Sequence, residues 1–160
     1  MLAGVARLVP SALRPCLLAC ARAAPATPET HVAAPARPVA GQARFVVKHD
    51  ADVAVKQPAP HQGAGETTAY RYFDELTDAK LIFRKRALHA GAAIGSHALK
   101  HDEVYYVLSG RGELEVDGRR REVLPGTAVF MYEGAVVGIR QLGTEDLVLI
   151  IAYPPAAPSR

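Results

Sequence analysis

His97, His101 and Glu103 stand close together in one short stretch of the chain. Imidazole nitrogens and a carboxylate are donors for a divalent metal, and two histidines with one carboxylate form a ligand set for iron, manganese, zinc or nickel. The same side chains support a second chemistry. A carboxylate beside an imidazole raises its basicity, so His97 with Glu103 is also a proton-transfer pair, with the Tyr105 phenol on the same side and Tyr132 a further phenol from another segment. A structural His–Glu contact uses the same two residues. Three donors are available to a metal if His101 turns inward. Only two are available if His101-Asp102 occupies a solvated turn.

These side chains need strands to aim them. In an unbroken extended segment, His97, Leu99, His101, Glu103, Tyr105 and Val107 share one face. Lys80 to Leu88 alternates as a strand, with Leu81, Phe83, Lys85 and Ala87 on one side and Ile82, Arg84, Arg86 and Leu88 on the other. The preferred reading of the two arginines is a solvated sheet edge, where their stems cover apolar surface. The alternative is an interior that takes an anionic ligand. Further strands are expected at Glu103–Ser109, Gly112–Val116, Arg119–Val123, Ala128–Tyr132, Val136–Gln141 and Asp146–Tyr153. They are separated by turns at Gly110, Asp117-Gly118 and Pro125-Gly126. After residue 80 no helical period runs for three turns. The pattern is all-β, an antiparallel barrel or sandwich.

The stretch Gly91 to Gly126 resembles the first signature of the cupin superfamily, and in particular small one-domain cupins. Gly91, His97, Glu103 and Gly110 fall at the family's spacings, while Leu99 stands where the family has its second histidine. Gly118 to Gln141 is similar to the second signature, with Val123-Leu124-Pro125-Gly126 as its turn. There Val137 takes the place of the metal histidine and Gln141 that of the final asparagine. The resemblance covers Ala69 to Tyr153. It implies a double-stranded β-helix, the cupin jelly-roll barrel, with an incomplete metal-ligand set.

The remaining composition narrows the partners. The formal charge of +3 equals the contribution of Arg7, Arg14 and Arg22, so the rest of the chain is near neutral. Arg119-Arg120-Arg121 is flanked by Asp117 and Glu122 and has no interleaved aromatics, which argues against nucleic acid. Both cysteines, Cys16 and Cys20, lie near the N-terminus, leaving no disulfide framework for the folded part. Residues 1–24 read as an export signal, giving a periplasmic or otherwise exported protein, with a cytoplasmic one as the alternative. No apolar run is long enough for a transmembrane segment. Residues 25–65 read as an Ala/Pro-rich linker carrying a strand or arm at 44–56, either an edge strand or an arm exchanged with a second subunit. His31, His49 and His61 are expected to be exposed rather than ligating. Residues 66–153 are the folded domain, 154–160 a tail, and a homodimer is expected.

Two functions follow. The first is a binding module for a small organic molecule, contacted by His97, Leu99, Glu103, Tyr105 and Val137, with no cofactor favoured. Apolar Leu99 and Val137 support it. The second is an enzyme, either a metal-dependent oxygenase or an isomerase or epimerase, using His97, His101 and Glu103 with a single divalent metal or as paired side chains.

Overall fold

The computed structural model describes residues 44–156. The segment read as an export signal and the two cysteines lie outside them. The described chain opens with one helical turn, α1 (Asp50–Val53), followed by ten strands. His49 caps the turn: its Nδ1 accepts from the Ala51 amide at 3.2 Å, and Asp52 accepts from the His49 amide at 3.0 Å. The strands are β1 (Ala54–Pro58), β2 (Glu66–Arg71), β3 (Ile82–Leu88), β4 (Ala93–Ala98) and β5 (Glu103–Ser109), then β6 (Arg111–Val116), β7 (Arg119–Val123), β8 (Ala128–Met131), β9 (Val136–Leu142) and β10 (Leu147–Tyr153). Among the described residues no helix is long and apolar enough to cross a membrane.

All strand pairs are antiparallel. They form a six-stranded sheet in the order β1-β2-β3-β10-β5-β8 and a four-stranded sheet in the order β4-β9-β6-β7. This corrects the expected closed barrel. β1 and β8 are free edges of one sheet, β4 and β7 of the other, so two open sheets face each other as a jelly-roll sandwich. The chain changes sheet between β5 and β6, and Gly110 makes that passage feasible. Its φ is +75°, and a Cβ there would lie 2.2 Å from the Asp146 carbonyl oxygen. At the β6–β7 hairpin Asp117 and Gly118 both have positive φ, 49° and 75°, as a tight two-residue turn requires.

Alternation produces the core. Leu147, Leu149 and Ile151 of β10, Tyr105 and Val107 of β5, Leu114 of β6, Val137 and Ile139 of β9, and Leu88 of β3 meet between the sheets. Each fully buried leucine or valine there contributes about 1.5–3 kcal/mol.

The N-terminal arm departs in part from expectation. No strand forms at 44–48; the strand begins at Ala54, after the helical turn. β1 pairs with β2 of its own chain, from Ala54 opposite Tyr70 to Pro58 opposite Glu66. β1 is thus an edge strand, the first of the two alternatives expected for this arm; the exchanged arm, one of the two grounds for the expected homodimer, is not what forms.

Candidate functional site

A cavity of about 400 Å³ opens at one end of the sandwich. β3 contributes Arg84 and Arg86, β4 contributes Ile94 and His97, and β5 contributes Glu103 and Tyr105, with Ile151 and Tyr153 from β10. The chain breaks from strand geometry at residues 99–102, yet Leu99 and His101 still line the same space. Of the ligand contacts expected from the sequence, His97, Leu99, Glu103 and Tyr105 are therefore brought together. Val137 is not among the lining residues. It is fully buried in the core, opposite His97 in the β4–β9 pairing. Tyr132 is exposed beside Phe130 and does not line the cavity.

Glu103 is the buried acid of the cavity, only 7% exposed. Burial pushes its carboxyl above the ordinary range, opposed by His101, His97, hydrogen bonding from Tyr105, and Arg84. His101 Nδ1 lies 3.7 Å from Glu103 Oε2, beyond hydrogen-bond reach, and is buried without a hydrogen-bond partner. The His101 ring stacks on Tyr153, with centroids 4.3 Å apart. Burial also raises Tyr105 and Tyr153, so both phenols stay protonated in the neutral range.

His97 is oriented by its own strand. Its Nδ1 donates to the Gly95 carbonyl at 2.9 Å, which leaves Nε2 outside that bond. The flat face of His97 is covered by His61, with centroids 3.5 Å apart and planes 2° from parallel. His61 is exposed, as expected, but it belongs to the rim of this site. Burial, then His97, then Arg86 push the His61 imidazole below its ordinary pKa. Its loop lies directly on β4. Pro60 O accepts from the Gly95 amide, Ala64 exchanges two hydrogen bonds with Ala93, and a Cβ on Gly95 would fall 1.9 Å from the His61 carbonyl oxygen. A signal for this contact was available only as glycines, Gly63 and Gly95, whose partners are remote in sequence.

Arg86 overturns the preferred solvated reading of β3. It is 8% exposed and lines the cavity, where Nη1 donates to Thr67 Oγ1 at 2.8 Å. Burial and neighbouring Arg71 depress its pKa from the normal high value. Arg84 behaves differently. It is held by Asp74 through Nε at 3.3 Å and Nη2 at 2.9 Å, and its guanidinium lies over the Tyr153 ring.

The model of the cupin domain family matches residues 86–153. Those residues are a cupin domain. A protein of Methanocaldococcus jannaschii is 32% identical over 68 residues, which are 39% of this chain and 54% of that protein, so the chain spans about half of that relative's length. A predicted oxalate decarboxylase from Thermotoga maritima superposes with a TM-score of 0.63 at 22% identity, over 69% of this chain and all of that one. The polyketide cyclase RemF from Streptomyces resistomycificus gives 0.59 at 23% identity, over 72% of this chain and 82% of that one. At such identities the structures establish the shared fold.

The cupin fold carries a metal in many members, and the donors of this chain do not fit one. Leu99 presents an apolar wall and Val137 is packed in the core, so the positions where the family holds two metal histidines carry no donor. Among the described residues no three His, Cys, Asp or Glu side chains gather closely enough to hold an ion. His101 faces the cavity, yet the set of His97, His101 and Glu103 is not assembled as a chelate.

Proposed function

We propose that this cupin domain is a binding module for a small organic molecule, held in the cavity by protein side chains alone. The observation that carries the reading is buried Glu103 beside the buried Nδ1 of half-buried His101. The carboxyl sits in a desolvated position and the adjacent Nδ1 has no partner, although both border a cavity large enough for a ligand. Buried polar atoms are ordinarily satisfied, and a ligand hydroxyl or carbonyl bridging His101 and Glu103 would satisfy these. Ile94, Leu99 and Ile151 then cover the apolar part of the molecule.

Saturation-transfer NMR of the whole chain against a set of small polar-apolar molecules tests this. Wild type is expected to bind members of the set, and His101→Phe, which keeps a ring against Tyr153, to lose them. Retention of the same ligands by His101→Phe would contradict the placement.

A second reading has its own observation. The Nδ1 of His97 is committed to the Gly95 carbonyl, which leaves Nε2 to act on a ligand, and burial biases Glu103 towards its protonated form. A base and an acid on one cavity are the equipment of an isomerase or epimerase that moves a proton on carbon. Incorporation of solvent deuterium into a bound ligand, lost in both His97→Gln and Glu103→Gln, would establish that activity.

A further inference from the structure

From the state of Arg86 we infer that the cavity recognises a carboxylate, so that its ligand is a small organic acid with an apolar body. The inference rests on the cavity being a binding site, as proposed above.

Arginine is almost never buried without a counter-charge, because a desolvated guanidinium is costly unless paired. Two other arginines reach this cavity and both have an acid. Asp74 takes Arg84 in two hydrogen bonds and lies 3.9 Å from Arg71 Nε. Among the described residues no carboxylate comes within ion-pair distance of Arg86, although it is the more buried cation. Glu103 shares the cavity, but its nearest ionic neighbour is His101.

Thr67 makes Arg86 a fixed receptor. Thr67 is fully buried, and its hydroxyl donates to the Gln57 carbonyl at 3.3 Å. With its proton spent there, Oγ1 turns a lone pair to Arg86 Nη1 at 2.8 Å. A guanidinium has five donors in a planar fork, and this hydrogen bond uses one of them. The remaining edge suits the two coplanar oxygens of a carboxylate. The apolar side chains of Ile94, Leu99 and Ile151 favour a hydrocarbon body over a highly charged ligand.

The test is isothermal titration of the whole chain, at neutral pH, with matched pairs: benzoate against benzamide, and hexanoate against hexanamide. Inorganic phosphate serves as the competing anion. Each carboxylate is expected to bind about ten-fold or more tighter than its amide, the strength of a charge-assisted contact. Arg86→Gln should erase that preference and leave amide binding nearly unchanged. Thr67→Val, which keeps the cation but frees its orientation, should reduce the preference and provides the reading should Arg86→Gln fail to fold. Ligand-free Arg86→Met should melt no lower than wild type, since an unpaired buried charge is removed; a purely structural arginine would lower the melting temperature. Equal binding of acid and amide by wild type would overturn the carboxylate subsite and leave the cavity reading standing. So would phosphate that displaces benzoate with equal affinity. Failure of every acid and amide to bind would overturn both.

Discussion

Burial holds the Glu103 carboxyl in its protonated form to a higher pH than an unfolded glutamate, and this fixes the sign of its linkage to stability. The native state retains the proton as pH rises past 4.5, the unfolded reference, while the unfolded chain has lost it. Glu103 therefore favours folding below 4.5, and the advantage disappears as pH climbs through the higher folded value. Glu103→Gln should melt at or above wild type at neutral pH, with the difference shrinking towards pH 4.5, as differential scanning calorimetry across pH would show. A variant less stable at neutral pH would mean that the carboxylate is held by contacts rather than penalised. Leu99 and Val137 lead to a further expectation. Leu99→His with Val137→His should create zinc or manganese binding measurable by calorimetry, because Val137 pairs directly with His97 across β4 and β9. Neither single change should suffice. His97, Leu99, Glu103 and Tyr105 could be placed together from sequence because their alternation and spacing are local. Arg86 could not be read as buried, since its partner Thr67 comes from a different strand and a lone strand does not say which face is covered.

Seven of the ten described strands, β3 and β5 to β10, are readable in the sequence, whereas β2 and β4 are not and β1 only overlaps the arm expected at 44–56. β5 and β7 have the boundaries that turn residues on either side dictate, and β6, β8, β9 and β10 shift by a residue. Glycine, proline and Asp117-Gly118 mark their ends chemically. The loop at 59–65 reads as linker, because its proline and glycine content describes a turn without saying what the turn rests on. It is held by hydrogen bonds to β4 and by the bare Cα of Gly95. Gly95→Ala should displace this loop and cost about 1–3 kcal/mol, in the range of overpacking changes, with faster proteolysis near His61. Urea unfolding and mass spectrometry of the nicks report both effects. His61 adds a pH dependence of the opposite sign to Glu103. Its folded pKa lies below 6.5, so the native state resists its protonation, and the stability it contributes is present above 6.5 and lost as pH falls through the folded value. NMR titration of the His61 ring should give a midpoint below 6.5, and His61→Phe should lessen the acid loss.

At the scale of the molecule, the sequence pattern of many short antiparallel strands did not distinguish a closed barrel from a sandwich. Closure depends on whether the outermost strands pair, and alternation within a strand carries no information about that. Here β1, β8, β4 and β7 remain edges, and the two sheets are joined by side chains between them. An open end between the sheets is what leaves room for the cavity beside Glu103 and Arg86. The central claim is that this cavity binds an organic ligand through its own side chains. The most direct measurement is calorimetric titration of the full chain with benzoate before and after exhaustive chelation, with the removed ions quantified. Unchanged affinity after chelation is the predicted result. Loss of binding that returns only when iron(II), manganese or zinc is restored would contradict it.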